Sequence, residues 1–332
     1  MKAAFIRETG DPSVIQYDDL PDPLLGTGQV LVRVGAVALN PIDTYIRGGA
    51  NYWPLPMPFI IGSDLAGTVV EVGAGVTDFK AGDRVWGSNQ GLMGRQGCFS
   101  ELASVDAQWL YPTPDNIDDS QAAACALVGI TAHLGLISRA RLSVGETLFV
   151  RGGAGGVGSM VVQMGKALGA KVITTAGGQE KADLCRRLGA DHVIDYRSAD
   201  IVSSVSAFAP GGVDVFWETL REPDFDTAVS CMADNGRLVL MAGRTARPEF
   251  PVGPFYVKGC SMMGFVMFKA PPDQQRGCAQ DINHWLMTGQ VQAVIDRVMP
   301  LHQAAEAHRL QESHTVHQKS LLSGKIVLEV GQ

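Results

Sequence analysis

The segment LFVRGGAGGVGSMVVQMGKALGAKVITTA, residues 148–176, contains the most informative motif of the chain. An apolar run over 147–150 predicts a strand, the glycines Gly153, Gly155 and Gly158 form a G-x-G-x-x-G turn, and a predicted helix follows over 157–168. The first glycine of this motif allows a tight turn, the second lets the backbone approach a pyrophosphate, and the third permits close helix–strand packing. Because the helix N-terminus also offers N–H groups, the segment predicts a phosphate-binding turn rather than merely a flexible one.

Residues from about 120 onward alternate between apolar runs and helical patterns. The apolar runs lie at 147–150, 171–175, 192–194, 213–216, 237–241 and 260–264. Alternating β-α-β units predict an α/β architecture with a doubly wound parallel sheet of about six strands and helices on both of its faces.

Residues 1 to about 110 show a different pattern, with short β segments such as 3–6 and 30–37 separated by Gly/Pro turns. Prolines at 21, 23, 41, 54, 56 and 58 are expected to keep helices out of the connections. We therefore expect a β-rich, partly open barrel. A last apolar strand over 325–330 could rejoin this region, which would make the first domain discontinuous.

The composition excludes several classes of protein. The 332 residues include 27 Lys and Arg against 34 Asp and Glu, a net charge of −7 that argues against a nucleic-acid-binding role. The hydrophobic share of 46% excludes wholesale disorder, and the length suggests about two domains. Six scattered cysteines favour a reducing compartment. The start of the chain has no secretory pattern, and the apolar stretch 122–137 predicts a buried core helix, so we expect a cytoplasmic protein without a membrane segment.

The end of the second predicted strand indicates which dinucleotide is bound. An NAD site usually places Asp or Glu about 20 residues after the glycine turn, where this chain has Thr-Thr-Ala-Gly-Gly at 174–178. Lys181 follows, and Tyr196 and Arg197 lie just after the third strand. These residues favour NADP(H), because cations suit a 2′-phosphate. The alternative is that Lys181 and Arg197 are ordinary surface charges.

Several segments together resemble the zinc-free quinone oxidoreductase branch of the medium-chain dehydrogenase/reductase superfamily. They are LNPIDTYIRGG (39–49), IIGSDLAGTVVEVGAGV (60–76), FKAGDRVWG (79–87), GITAHLGL (129–136), GGAGGVG (152–158), LGADHVIDY (188–196) and SGKIVLEV (323–330). The resemblance implies a GroES-like catalytic domain over 1–122 and 268–332, and a Rossmann NADP-binding domain over 123–267. It also implies a homodimer.

The resemblance argues against a catalytic zinc, so no metal ligands are predicted. Where zinc-dependent relatives supply a Cys and a Gly-His-Glu, this chain has Asn40-Pro41-Ile42-Asp43 and Gly62-Ser63-Asp64. Asp64 alone cannot provide the tetrahedral set of ligands that zinc requires. The four closely spaced cysteines of the structural-zinc lobe are also missing.

The resemblance further implies the residues of the site. It places Asn40 and Tyr45 in the pocket beside the nicotinamide, Tyr52 over the cofactor, and Thr131 near the nicotinamide end. The remaining cofactor-binding residues it implies are Gly155, Gly156, Val157 and Gly158 at the pyrophosphate, Gly177, Lys181 and Tyr196 at the 2′-phosphate, Met241, Gly243 and Arg244 after the fifth strand, and Phe265, Val266 and Met267 beside the nicotinamide amide. One departure from the family pattern is Trp217-Glu218-Thr219-Leu220, which puts the contact of that loop with the cofactor in doubt.

The expected chemistry is direct hydride transfer from NADPH to a quinone or an α,β-unsaturated carbonyl. Tyr45, Tyr52 or Asn40 could donate a hydrogen bond to the developing oxyanion, although a packing role for each tyrosine is an equal alternative. Asp43 is expected to cap or to form a salt bridge within its own turn rather than to act as an acid. The alternative functions are a 2-enoyl-thioester reductase and a non-catalytic NADPH-binding relative, either crystallin-like or RNA-binding.

Overall fold

The computed structural model describes residues 1–50, 53–316 and 322–331. The chain divides into two units: unit 1 comprises Met1–Leu127, Ala270–Met287 and Gln292–Gln332, and unit 2 comprises Val128–Lys269 and Thr288–Val291. The division differs by a few residues from the predicted 1–122 and 268–332 against 123–267. One helix runs without a break through residues 127 and 128, so the local pattern does not mark the division.

The described residues form strands and helices whose bounds are as follows. The strands are β1 (Lys2–Ile6), β2 (Gln16–Asp19), β3 (Gln29–Leu39), β4 (Phe59–Ile60), β5 (Asp64–Val72), β6 (Arg84–Gly87), β7 (Leu102–Asp106), β8 (Leu110–Pro112), β9 (Thr147–Val150), β10 (Lys171–Ala176), β11 (His192–Asp195), β12 (Val213–Glu218), β13 (Met232–Leu240), β14 (Ser261–Gly264), β15 (Ile295–Pro300) and β16 (Lys325–Glu329). The helices are α1 (Pro41–Arg47), α2 (Asp119–His133), α3 (Gly156–Ala167), α4 (Gln179–Arg187), α5 (Ile201–Phe208), α6 (Phe225–Cys231), α7 (Val252–Val257), α8 (Pro272–Met287) and α9 (Ala304–Thr315).

Unit 2 is built on a six-stranded sheet in the order β11-β10-β9-β12-β13-β14, and every pairing in it is parallel. The predicted doubly wound sheet of about six strands is therefore confirmed. The chain order reverses between β9 and β12, and ligands of such sheets bind at the carboxyl ends of the strands beside this reversal. One face of the sheet packs a core that contains the stacked rings of Phe149 and Phe216.

Unit 1 contains two sheets that are mostly antiparallel. A small sheet has the order β2-β1-β4, and a larger one has the order β15-β16-β3-β5-β6-β8 with β7 also paired to β3. Strand β16 pairs antiparallel with β3, with Ile326 opposite Leu39, so the expectation that the last strand rejoins the β-rich region is confirmed. This pairing brings the start of β16 beside the end of β3.

Helix α1 corrects the expectation that prolines exclude helices from the connections of the first domain. Pro41 occupies the first turn of α1, where a proline is tolerated because that residue's N–H has no partner inside the helix. The sequence pattern also missed α5, α7 and β15, all of which are short.

The chain is helical from Asp119 to Arg139, with its last six residues in π-helical geometry. By length and by a hydropathy of 1.5 this is a candidate membrane span among the described residues, but 78% of its apolar window is buried within the protein. Such burial is typical of a core helix, which is what the sequence predicts for 122–137.

Candidate functional site

The glycine turn of unit 2 follows β9 directly and leads into α3, as predicted. A Cβ atom on Gly158 would lie 2.1 Å from the carbonyl oxygen of Gly152, so α3 and the turn pack too closely for any side chain there. The left-handed backbone of the turn belongs to Gly152, whose φ is +80°. Gly153 also lies in the turn, and a Cβ there would lie 2.2 Å from Oγ1 of Thr174, so close packing against β10 requires a glycine at this position.

Gly155 differs from its neighbours because no close internal contact requires a glycine there. A Cβ at this position would meet only the carbonyl oxygen of Gly152, at an ordinary distance of 3.5 Å. Gly155, Gly156 and Val157 are half-exposed at the start of α3, whose first turn contains no acidic residue. The first amides of a helix have no intrahelical acceptor, so this turn can bind an anion through its backbone.

The end of β10 supports the glycine turn through two threonines. Thr174 donates from Oγ1 to the carbonyl of Val150 at 2.7 Å, and Thr175 Oγ1 accepts the N–H of Gly152 at 2.9 Å. In the sequence these threonines indicate only that a carboxylate is absent from the end of β10. In the structure they also hold the turn in place.

Three of the residues predicted at the 2′-phosphate are brought together at the ends of β10 and β11. A Cβ on Gly177 would lie 2.5 Å from the hydroxyl oxygen of Tyr196, so the tyrosine lies directly over this glycine. Gly178, with φ of +90°, is the N-cap of α4, and Lys181 lies in the first turn of that helix. The guanidinium of Arg197 lies beside Gly178. Gly177, Lys181, Tyr196 and Arg197, which lie at these two strand ends and in the first turn of α4, are called the cationic group below.

Asp195 is a carboxylate near this group that the sequence analysis did not consider. Its Oδ1 accepts the backbone N–H groups of Gly178 at 3.4 Å and of Arg197 at 3.0 Å. These bonds occupy one oxygen of the carboxylate and join the two segments that carry Gly177 and Tyr196. Asp195 thus links the backbone at Gly178 to the backbone at Arg197, beside the cationic group.

The end of β12, where the chain departs from the family pattern, is buried in unit 2. Trp217 is fully buried, and a Cβ on Gly135 would lie 2.1 Å from its ring. The same ring meets Phe265 edge-on, with centroids 6.4 Å apart. Trp217 therefore supports the segment predicted to flank the nicotinamide.

Glu218 and Thr219 bind the residue that begins the glycine turn, Arg151. Thr219 donates its hydroxyl to the carbonyl of Arg151, and Glu218 Oε2 lies 3.7 Å from Nη1 of Arg151. Glu218 Oε1 accepts the N–H of Leu220 at 2.7 Å. Burial raises the pKa of the Glu218 carboxyl to about 7. The departure from the family pattern thus places a buried titratable group beside the turn.

The other residues predicted in unit 2 lie mainly at the carboxyl ends of its strands. Gly243, with φ of +80°, packs against the carbonyl of Arg221, so the loops after β13 and β12 touch. Among the predicted residues at these strand ends, Met241 and Phe265 are half-buried, Arg244 and Val266 are exposed, and Met267 is buried. Thr131 is buried within α2. The contacts of these residues with a cofactor stay predictions.

In unit 1, the predicted catalytic residues Asn40 and Tyr45 lie at and on α1. Tyr45 is half-buried in the middle of the helix. Tyr52 lies outside the described residues, so its role stays a prediction.

Asn40 is fully buried, and its side chain is held on both sides. Its Nδ2 donates to Oδ2 of Asp64 at 2.7 Å and to the carbonyl of Ala38 at 3.4 Å, while its Oδ1 accepts from the ammonium of Lys325. Both amide hydrogens are therefore engaged within the protein. Asn40 could donate to a substrate only by giving up one of these bonds.

The group of Asn40, Asp43, Ser63, Asp64, Ser88 and Lys325 is called the polar cluster below. Lys325 Nζ also donates to the carbonyl of Leu39 at 2.7 Å and lies 3.9 Å from Asp64. Ser88 donates to Asp64 at 2.6 Å, and the N–H of Leu127 in α2 donates to the same carboxylate at 3.2 Å. The carboxylate of Asp64 thus receives three hydrogen bonds.

Asp43 joins the polar cluster from the first turn of α1. Its Oδ2 accepts the N–H of Asn40 at 2.8 Å and its Oδ1 accepts the hydroxyl of Ser63 at 2.6 Å, which confirms the predicted capping role. Burial raises the pKa of Asp43 to about 7 and that of Asp64 above its usual range, and it lowers the pKa of Lys325. The attraction between Lys325 and Asp64 opposes the effect of burial on each of them.

The polar cluster does not fit a catalytic zinc. Zinc is bound by sets of thiolate, imidazole and carboxylate ligands, whereas the polar cluster holds an amide, two hydroxyls and an ammonium, and its two carboxylates are already hydrogen-bonded to these groups. The nearby thiol of Cys98 donates to backbone carbonyls, and burial keeps its pKa well above the ordinary value. Among the described residues, no three His, Cys, Asp or Glu side chains are grouped so as to hold a metal ion.

Comparisons with known proteins identify the family of the chain. Residues 26–115 match the model of the alcohol dehydrogenase GroES-like domain, and residues 156–282 match that of the zinc-binding dehydrogenases. A quinone oxidoreductase of Pseudomonas aeruginosa is 34% identical over 90% of this chain and 92% of its own. An NADPH-dependent alkenal/one oxidoreductase of Arabidopsis thaliana chloroplasts is 36% identical over 75% of this chain and 64% of its own.

Solved structures extend the match to the whole chain. The quinone oxidoreductase of Escherichia coli, solved with NADPH, is 27% identical, covers 99% of this chain and 100% of its own, and has a TM-score of 0.86. An NAD-dependent alcohol dehydrogenase is 29% identical over the full length of both chains, with a TM-score of 0.90. The chain therefore belongs to the quinone oxidoreductase family of the medium-chain dehydrogenase/reductase superfamily and is an oxidoreductase.

Proposed function

We propose that the protein is an NADPH-dependent reductase that transfers hydride to a quinone or an α,β-unsaturated carbonyl. The observation that carries this proposal is the glycine turn, in which Gly155 is open to a ligand while Gly153 and Gly158 are required by internal packing. The backbone of 155–158 would hold the pyrophosphate. When bound, NADPH supplies the hydride from C4 of its nicotinamide.

The choice of NADPH rather than NADH rests on the end of β10. The end of β10 has no acidic side chain at the position that usually binds the ribose of NAD, and the carboxylate of the nearby Asp195 is bound to the backbone N–H groups of Gly178 and Arg197. Lys181 and Arg197 would pair with the 2′-phosphate, and Tyr196 would donate its hydroxyl. The structure of the E. coli quinone oxidoreductase contains NADPH, which supports this choice. Because another similar structure is of an NAD-dependent enzyme, the cofactor preference is tested directly below.

The reaction is proposed to proceed without zinc, because the polar cluster fills the place of the metal with hydrogen-bonded side chains and an ammonium. Hydride and one proton convert a quinone to a hydroquinone, or an enone to a saturated ketone. Positioning and exclusion of water would provide most of the acceleration. The half-buried Tyr45, which the family resemblance places beside the nicotinamide, carries a phenol that would donate to the developing oxyanion, whereas Asn40 would first have to give up one of its bonds.

An acceptor panel tests this proposal. NADPH oxidation is followed with several benzoquinones and naphthoquinones, with alkenals and enones, and with a 2-enoyl-CoA. Turnover of quinones or enones supports the proposal, and the alkenal/one oxidoreductase among the relatives makes enones a strong candidate. Turnover of the enoyl-CoA alone would indicate a thioester reductase. Tight NADPH binding without reduction of any acceptor would indicate a non-catalytic protein and would contradict the proposed reductase activity.

The donor role is tested with Tyr45→Phe and Tyr52→Phe. Loss of a donor that acts on the oxyanion lowers kcat about 100-fold and leaves the Kd for NADPH unchanged. A tyrosine whose replacement changes neither kcat nor KM on a quinone has no such role.

We also propose a homodimer in a cytoplasmic, reducing compartment, with no nucleic-acid or membrane partner. The dimer proposal is supported by β14, an edge strand of the unit 2 sheet with exposed Met262, and by the exposed Tyr256 and Val257 on the adjoining segment. Exposed edge strands are open to pairing with a second chain. The compartment is supported by six cysteines that are all free thiols, five of them buried.

A further inference from the structure

Helix α1 is held at both ends by buried charged groups. At its start, the backbone N–H and both polar atoms of the Asn40 side chain are bound by Asp43, Asp64 and Lys325. Lys325 lies on β16, which pairs with β3, the strand that leads into α1. The start of α1 is therefore tied to the sheet by an ammonium.

At its end, α1 is tied to α9. Arg47 is almost fully buried, and its guanidinium forms an ion pair with Glu312 of α9. His308, one turn earlier on α9, is fully buried beside Phe99, and Arg47 contributes with burial to lowering the pKa of this histidine to about 3. His308 is therefore neutral, and Glu312 is the charged partner of Arg47 from α9.

A helix as short as α1 depends on such ties for its position. It has only seven residues, and isolated helices of that length are not stable in water. Tyr45 lies midway between the two tied ends. A shift at either end would therefore move Tyr45 with the helix.

We propose that Lys325 and Glu312 are positioning residues, which clamp the two ends of α1 and thereby fix where Tyr45 presents its hydroxyl. This inference rests on the proposed role of Tyr45 in reduction. Buried ion pairs add little net stability compared with apolar residues of similar volume, but they fix geometry through directional bonds. We therefore expect the two ion pairs, Lys325 with Asp64 and Glu312 with Arg47, to determine the position of α1 more than the stability of the fold.

The first experiment uses Lys325→Met and Glu312→Gln, each with a matched control. Lys80→Met removes an exposed lysine from the turn pair Lys80–Asp83, and Glu306→Gln removes an exposed glutamate from α9 itself. We expect kcat with a quinone to fall about 100-fold in Lys325→Met and about tenfold in Glu312→Gln, because small misplacements of a reacting group have effects of this order. The Kd for NADPH should stay unchanged, as should kcat in both controls.

Hydrogen–deuterium exchange of the α1 amides separates this inference from the proposed function. Exchange should become faster in both variants and not in the controls. If the wild-type protein reduces no acceptor, the proposed function fails, while the exchange rates still decide whether the ends of α1 are clamped. Unchanged exchange, or faster exchange with unchanged kcat, would overturn the inference.

A double variant keeps the test valid if Lys325→Met unfolds. Asp64→Asn together with Lys325→Met removes both charges of this ion pair and keeps an amide oxygen that can accept the N–H of Leu127, so the protein should recover Tm relative to Lys325→Met. The orientation of Asn40 is still lost, and kcat should remain about 100-fold low. Recovery of wild-type kcat in the double variant would show that the ionic tie does not position α1.

Discussion

The glycine turn of unit 2 and the polar cluster of unit 1 show two different ways to build a site. In the glycine turn the backbone forms the surface, because neighbouring atoms occupy the space of a side chain at Gly153 and Gly158 and the proposed cofactor would occupy it at Gly155. In the polar cluster every contact is made by a side chain or depends on one, and the residues come from distant parts of the chain. A local motif can therefore reveal the first kind of site, while the second becomes visible only in the folded structure.

The largest expected effect comes from adding a methyl group within the glycine turn. Gly158→Ala places a Cβ 2.1 Å from a backbone oxygen, so the turn must move. We expect the free energy of unfolding to fall by about 3 kcal/mol and the Kd for NADPH to rise about 100-fold. Urea unfolding and fluorescence titration measure the two quantities.

Gly155→Ala is the matched control, because its Cβ meets nothing closer than 3.5 Å. Its stability should match that of the wild type, while NADPH binding weakens because the added methyl group lies where the backbone is open to the ligand. If Gly155→Ala destabilises the fold as much as Gly158→Ala, the assignment of different roles to the two glycines is wrong.

The sequence predicted the backbone-driven parts of the molecule well. Spacing alone located the glycine turn between β9 and α3, and the alternation of apolar runs located the six-stranded sheet. Spacing did not show that Gly152 adopts the left-handed conformation, because four glycines lie within five positions and only the backbone angles distinguish them. Helix α1 was missed because Pro41 at its first turn resembles a helix breaker.

The polar cluster could not be predicted in the same way. Lys325 and Asn40 are 285 residues apart, and no pattern of spacing joins them. The sequence contains one indication of the polar cluster: Asp64 and Lys325 are charged residues inside apolar runs. Because a charged residue is almost never buried without a partner, each of them is expected to have one. This signal indicates that a partner exists, but the pairing itself depends on how β16 and β3 align.

Glu218 is a buried charged side chain beside the glycine turn. It tests whether a buried side chain in unit 2 affects stability as those of the polar cluster are expected to do in unit 1. Its pKa is raised by burial to about 7 from 4.5. A carboxyl with a raised pKa stabilises the fold fully below the unfolded pKa, and this contribution is lost as the pH rises through about 7. The stability of the wild type relative to Glu218→Gln should therefore fall by about 3 kcal/mol between pH 4.5 and 7.5.

Urea unfolding at several pH values measures this difference, with the exposed Glu222→Gln as the control. The control should show a difference from the wild type that is independent of pH. A similarly flat difference for Glu218→Gln would mean that this carboxyl ionises normally in the folded protein.

Lys181 tests whether the cationic group at the end of β10 adds side-chain recognition to the backbone turn. Lys181→Ala should raise the Kd for NADPH about tenfold and leave the Kd for NADH unchanged, because only NADPH carries the 2′-phosphate. Arg186→Ala on the exposed side of the same helix is the control and should change neither value. Equal weakening of both cofactors would place Lys181 outside the 2′-phosphate site.

The smallest effect on activity is expected at β14, far along the sheet from the glycine turn. Met262→Lys introduces a charge on the exposed edge strand and should weaken the proposed dimer about tenfold, with kcat unchanged. Val144→Lys, at another exposed apolar residue of unit 2, is the control. Sedimentation velocity at a series of concentrations measures the change, and a wild-type monomer at micromolar concentration would refute the dimer.

The central claim is that unit 2 binds NADP(H) through the glycine turn and the cationic group beside Tyr196. Its most direct test is a calorimetric titration of the wild-type protein with NADPH and, separately, with NADH. The account predicts that NADPH binds at least about tenfold more tightly, as expected when charged groups pair with a 2′-phosphate. Equal or tighter binding of NADH would contradict it.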